Sequence, residues 1–312
     1  RTSQWIKQNS AVCELTNYPI SKITKDKLYG ISHQLFSIKD KLEKHLSHKT
    51  NEIFDLNDSI ILYDLTNTYF EGSMQQNSKA KFGRSKEKRS DARLIVLAVV
   101  VNTEGFLKYS QIFEGNIADN KTLIQIIEEL SERTSSSKRN PTIVLDAGIA
   151  TEDNLILLKS KGFQYLCVSR SSKKQYTIDT TQKPIVIKDN KEQELILQKV
   201  IVKNSDDTFL QVHSKAKALK EQSMNSSFSL KFEAGLENIK SSLTKKSGIK
   251  IQQKVWERIG RLKAKYPSIH NRYEIALSID QEKVTAIEWT IKPKKNKEGY
   301  YLLRTTLDQT NE

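Results

Sequence analysis

The stretch "LIVLAVVV", Leu94 to Val101, limits the fold more than any other feature of the chain. Eight consecutive apolar residues fall far short of the ~20 that a membrane-spanning helix needs. The run is short and rich in β-branched residues, so it predicts a buried strand. Its neighbours supply a sheet around it. Residues 60–70 read as a first strand and 106–114 as a third, which pairs with the second through the turn "NTEG". "GNIADNKTLIQIIEELSER" then starts a helix, with Asp119 or Asn120 as cap and Leu123, Ile126, Ile127 and Leu130 as one apolar stripe. "TIVLD" is a short buried strand ending at Asp146. Thr151 caps a second helix that stops at Gly162, and "FQYLCVSR" is a further strand. The order β-β-β-α-β-α-β predicts an α/β fold: a mixed central sheet covered by helices.

The flanking segments differ in character. Residues 1–57 predict a polar helical segment, in which Leu28, Ile31, Leu35, Ile38, Leu42 and Leu46 recur at steps of three and four. That spacing predicts an amphipathic helix or helix pair. His45 and His48 lie one turn apart there, but with no third ligand in view they read as part of a solvated face. Residues 58–170 are the central α/β unit. From 171 to 297 the chain turns more polar and Lys-rich, and predicts an α+β insertion. It has a strand at 195–203, helices near 214–223, 229–244 and 250–264, and a hairpin made by "YEIALSID" and "KVTAIEWTIKP". Residues 298–312 contain "YYLLRTT", 300–306, a strand expected to return to the main sheet.

The formal net charge is +14, which favours a polyanionic partner, nucleic acid before an anionic membrane surface. No membrane span and no signal peptide are legible. Cys13 and Cys167 stand in no motif and fit a reducing cytoplasm. No GxxxxGK[ST] loop, zinc pattern or local Ser-His-Asp arrangement is present, which argues against a nucleotide-driven motor, a zinc module and a serine hydrolase.

Asp64 sits inside an apolar strand, and Asp146 ends a strand that precedes a helix. Strand ends of α/β sheets face the crevice where ligands bind. Two carboxylates brought together there would repel each other unless a hard cation such as Mg²⁺ joined them. Two such ions ~3.5–4 Å apart can drive phosphodiester displacement. Taken singly, Asp64 could be satisfied by Thr66 or a backbone N–H, and Asp146 could be a loop residue. Together, with the basic charge and the strand order, they favour the metal reading. The loop Lys79–Arg93 carries Lys79, Lys81, Arg84, Lys86, Lys88, Arg89 and Arg93 against Glu87 and Asp91. It reads as a phosphate grip, or else as a solvated loop. Arg170 and Arg304, which could equally pair with carboxylates, and the helix face with Arg258 and Arg261 are further phosphate candidates.

Five segments in order, "YDLTNTYFEG", "SKEKRSD", "FEGNIADNKTL", "VLDAGIATEDNL" and "GYYLLRT", resemble landmarks of bacterial insertion-sequence transposases of the DDE type, in the group with a long insertion before the final Glu. The resemblance covers 60–170 closely and 228–306 more loosely. It implies an RNase H-like catalytic core that cuts and joins DNA with Mg²⁺ or Mn²⁺. Double-stranded DNA would be the partner, at transposon ends and at target, with the protein acting as a homodimer in the nucleoid. By motif, Asp64 matches the first catalytic Asp and Asp146 the second. Asn116 and Asp119 of "GNIADNKT" fall in a matching motif and are expected beside the metals. The family's final Glu is expected on a helix after the "YLLRT" strand, and the chain stops at Glu312 before such a helix. Asp308, Glu312 and Glu288 match it by residue type alone. The sequence therefore also admits a DNA-binding remnant that does not cut, or an RNase H-like nuclease of another class.

Overall fold

The computed structural model describes the chain except Asn57, Lys86, Lys88 and the ranges 134–140, 170–175, 294–297 and 308–312. Lys86, Lys88, Arg170, Asp308 and Glu312 therefore lie outside the described residues. The chain divides into two compact units, Arg1–Arg170 with Thr305–Glu312, and Ser171–Arg304.

The first unit opens with α1 (Thr2–Asn9), α2 (Val12–Thr16), α3 (Lys25–Ser37) and α4 (Lys39–Phe54). The rest of it is β1 (Ile60–Tyr69), β2 (Leu94–Asn102), β3 (Leu107–Glu114), α5 (Thr122–Arg133), β4 (Thr142–Leu145), α6 (Glu152–Ser160) and β5 (Gln164–Val168). This is the order that the sequence predicts. The strands lie in the order β3-β2-β1-β4-β5. β1 is antiparallel to β2 and β2 to β3, whereas β4 runs parallel to both β1 and β5. The result is a mixed sheet flanked by helices. At the outer edge of β5, the Tyr165 N–H donates to the Thr306 hydroxyl at 3.0 Å, and the Thr305 hydroxyl donates to the Tyr165 carbonyl at 2.7 Å.

The apolar stripe of α5 (Leu123, Ile126, Ile127, Leu130) and Leu155 and Leu158 of α6 form one buried cluster with Ile61, Tyr63, Leu65, Leu94, Val96, Ala98 and Val100 of the sheet. Burial of each such side chain stabilises the fold by about 1.5–3 kcal/mol. The other face of the sheet is more open. On β1 burial alternates, so Ile60, Leu62 and Asp64 are exposed while Ile61, Tyr63 and Leu65 are buried. β2 alternates between buried and half-buried positions. The expected deeply buried strand around Asp64 is thus a half-buried one, and a carboxylate on its open face needs no partner to be tolerated.

The N-terminal stripe also departs from expectation. Leu35, Ile38 and Leu46 are exposed, and α3 buries no residue. α4 buries Glu43 and Ser47 instead. Glu43 accepts from the Ser110 N–H at 3.1 Å and from its hydroxyl at 2.5 Å, and Lys39 donates to the Ser110 carbonyl at 2.6 Å. Below them the buried Lys108 ammonium meets Asp58 at 2.8 Å and Asn51 at 2.5 Å. The unmet polar groups of β3 selected the polar side of the helix over its apolar one.

The second unit holds β6 (Tyr176–Ile178), β7 (Ile185–Lys188), β8 (Glu194–Val202), β9 (Thr208–Ser214), α7 (Lys215–Thr244), α8 (Gln252–Lys265), β10 (Tyr273–Asp280), β11 (Lys283–Ile291) and β12 (Tyr300–Thr305). Its strands lie in the order β12-β9-β8-β6 with β7 also on β8, and β10 and β11 form a separate hairpin. α7 and α8 close a core over that hairpin, with Phe232, Leu236, Val255, Ile259 and Ile287 at its centre. Sequence reading predicts two helices where α7 is a single one of 30 residues. "SMNSSFS" contains no Gly or Pro, and its serines cost only about 0.5 kcal/mol each against Ala, which packing of Phe228 offsets. Glu288, exposed on β11 opposite Ala276, is a hairpin residue.

Candidate functional site

The register of β1 and β4 places the two aspartates together. Ile61 stands beside Ile143, Leu62 beside Val144 and Tyr63 beside Leu145, and the next residues along the parallel pair are Asp64 and Asp146. Neighbouring strands are ~4.8 Å apart in this direction. β4 ends at Leu145, which leaves Asp146 at the C-terminal mouth of the sheet. Both carboxylates are exposed and each is folded back on its own backbone. Asp64 Oδ1 accepts from the Leu65 N–H at 2.8 Å, and Asp146 Oδ2 from the Gly148 N–H at 3.4 Å.

Asp119 joins them from the loop after β3. A methyl group on Gly148 would stand 3.4 Å from Asp146 Oδ2 and 3.6 Å from Asp119 Oδ2, so both oxygens border one methyl-sized space. Tyr63, buried beneath Asp64, reports the same crowding. Burial raises its phenol well above the usual tyrosine range, the charges of Asp119 and Asp64 push it further, and a hydrogen bond to Thr122 opposes them. That bond, 2.7 Å from the Tyr63 hydroxyl to Thr122 Oγ1, continues as 2.6 Å from Thr122 to the Asp119 carbonyl. It ties the loop to β1. Asp119 was expected as a cap of α5 or beside the metals; its Oδ2 borders the same space at Gly148 as Asp146 Oδ2.

Among the described residues, no three His, Cys, Asp or Glu side chains stand close enough to form a ready metal site. The donor set nevertheless suits a hard cation: two exposed carboxylates, each the next residue after the paired Tyr63 and Leu145, a third across Gly148, and no Lys or Arg ion pair on any of the three among the described residues. Turning Asp64 and Asp146 off their own backbones is a side-chain rotation only.

Beside the carboxylates lies a cleft of about 490 Å³, lined by Thr66, Asn67, Arg84, Ser85, Asn116 and Asp119 among others. Its far wall is the basic loop, which is pinned rather than free. Lys81 bridges Leu94 with hydrogen bonds of 3.1 and 2.8 Å, and the Gly115 N–H donates to the Lys79 carbonyl at 3.0 Å. The approach is so close that a Cβ on Gly83 would lie 2.1 Å from the Gly115 carbonyl, and one on Gly115 1.9 Å from the Leu94 carbonyl. Only glycine fits at either position.

The cations predicted to grip phosphate divide accordingly. Lys79 donates to the Ile112 carbonyl at 2.9 Å, and Arg93 donates to the Ala80 carbonyl at 3.0 Å while stacking on Phe82. Arg89 forms a two-bond pair with Asp91 over the Tyr69 ring. These three shape the loop. Lys81 and Arg84 have no ion pair among the described residues, and Arg84 is exposed on the cleft. In the second unit the half-buried Arg304 pairs with the buried Asp207 at 2.5 Å, Arg258 donates to Ser242 at 2.8 Å, and Arg261 is exposed on α8. Sequence reasoning missed Gly148 and Gly83. A glycine two residues past a strand-end Asp was the legible signal for the first, and nothing local marks the second.

Residues 56–265 match the family described as Transposase DDE domain. No curated protein matches the chain. Among solved structures, a piggyBac transposase in a synaptic complex with hairpin DNA, solved by cryo-EM, is similar at 13% identity and a TM-score of 0.29. The similarity covers 52% of this chain, which spans 37% of that transposase. With the family match extending over most of its length, the chain belongs to the DDE-domain transposases.

Proposed function

We propose that the chain cuts and joins DNA phosphodiesters where β4 ends beside Asp64 of β1. The observation that carries this reading is the register that sets Asp64 and Asp146 side by side. These two carboxylates would hold a divalent cation, Mg²⁺ or Mn²⁺, which when bound activates a water or a 3′-hydroxyl and stabilises the leaving oxygen. Asp119, across Gly148 from Asp146, adds negative charge at the same spot and orients what Asp146 binds. Asn116 shares its loop and faces the cleft. Arg84 and Lys81 in the first unit would meet phosphates, and Arg261 and Arg258 would do so from the second. The substrate class is double-stranded DNA at element ends and target, and a dimer would supply one carboxylate set for each end.

The test is nicking of supercoiled DNA in Mg²⁺ or Mn²⁺. Asp64→Asn and Asp146→Asn should each lower the rate by at least about 100-fold, with DNA binding retained. Nicking by either variant at the wild-type rate removes the assignment. One observation favours a second reading, a DNA-binding protein that does not cut: no three-ligand cluster is assembled among the described residues. Under that reading the wild type binds DNA and does not nick it.

A further inference from the structure

We propose that Asn154 is a positioning residue, a role that rests on the metal reading above: its side chain fixes the loop that carries Asp119 against the turn that carries Asp146. Asn154 lies in the first turn of α6, three residues past the cap Thr151, whose hydroxyl accepts from its N–H at 3.4 Å. A Glu or Gln at this place returns its side chain to the cap. Asn154 turns its carboxamide to two other segments and is buried. Its Nδ2 donates to the Ile149 carbonyl at 2.7 Å and to the Asn120 carbonyl at 2.9 Å. An amide nitrogen carries two hydrogens, so one side chain serves both acceptors.

Each of these bonds reaches a segment that bears a carboxylate. Ile149 belongs to the turn after β4, in which the Ile149 and Ala150 N–H groups donate to the Asp146 carbonyl at 3.0 and 3.2 Å. Asn120 follows Asp119 directly. The Asp119 carbonyl accepts from the buried Thr122 hydroxyl, which in turn accepts from Tyr63, the residue before Asp64. Two buried polar links therefore join the three segments that carry Asp64, Asp119 and Asp146. A buried donor moved off its acceptor is left unpaired, so such links hold one geometry. A cation shared by carboxylates is sensitive to the spacing of the segments that carry them. Outer hydrogen bonds that orient ligands in this way are worth ~10–100-fold in metal affinity.

The test is Mn²⁺ titration of the full chain, read by the electron paramagnetic resonance of free Mn²⁺, with denaturant unfolding of each protein in parallel. Asn154→Leu keeps the size of the side chain and removes both donors. Asn154→Ala leaves room for water to meet the two carbonyls, so that a folded variant is in hand. Each should weaken Mn²⁺ binding at least about tenfold. Asn102→Leu is the control, the same change at a buried asparagine beside Ile61, where the carboxamide oxygen accepts from the Phe106 N–H at 2.8 Å. It should leave Mn²⁺ affinity as in wild type. Asp119→Asn should also weaken Mn²⁺, and in that background Asn154→Ala should add less than about twofold, because the carboxylate it positions has lost its charge. Wild-type affinity in Asn154→Ala overturns the inference and leaves the metal reading standing. An equal loss in Asn102→Leu, or independent effects of Asn154→Ala and Asp119→Asn, marks Asn154 as merely structural and overturns it too. Absence of saturable Mn²⁺ binding in the wild type removes the metal reading and this inference with it.

Discussion

Asp64 illustrates how an acidic residue survives in an apolar strand: alternate side chains of β1 point to opposite faces, and Asp64 falls on the open one. Its neighbour Tyr63 points inward and carries the cost of the charges nearby. Burial raises its phenol above the ordinary value of 10.0, and Asp119 and Asp64 add to the shift. Below that value folded and unfolded chains both keep the proton, and the full stability is present. Above it the unfolded phenol ionises first while the folded one holds its proton, so stability falls as pH rises. Denaturant midpoints measured from about pH 9 to about pH 11 should therefore drop, and Tyr63→Phe should flatten the drop. Tyr273 and Tyr301, also raised chiefly by burial, retain part of it. An unchanged slope in Tyr63→Phe would show that the phenol is not the group responsible.

At the level of elements, α4 docks through Glu43 and Ser47 and leaves Leu46 outside. Glu43→Leu should destabilise the protein by about 1–3 kcal/mol, because the Ser110 N–H and hydroxyl lose their acceptor. Leu46→Gln should stay within about 0.5 kcal/mol of wild type. Denaturant unfolding checks both, and a reversed order would mean that the helix packs through its leucines. The same helix shows where sequence reading works and where it stops. The β-β-β-α-β-α-β order was legible because hydrophobic period and capping residues such as Thr151 are local properties, and Thr151 does accept from the Asn154 N–H at 3.4 Å. Which side of α4 faces the sheet was not, since it depends on Lys108 and Ser110, more than fifty positions away. Asp64 was legible as an acid inside an apolar strand and Asp146 as one at a strand end. The pinning of the basic loop by Gly83 and Gly115 depends on backbone approaches that no local pattern encodes.

For the molecule as a whole, no helix of the described residues is long and apolar enough to cross a membrane, and the net charge is +14. Binding to duplex DNA through ~6–10 phosphates should weaken by about 10³–10⁵ between ~50 and ~200 mM salt. A flat salt response would speak against a charge-driven interface. The shared carboxylate edge is tested most directly by Mn²⁺ titration of the full chain beside Asp64→Asn and Asp146→Asn. Saturable binding in the wild type, weakened at least about tenfold by either substitution, is the predicted result. Wild-type affinity in either variant would contradict the claim that side chains 64 and 146 hold one cation between them.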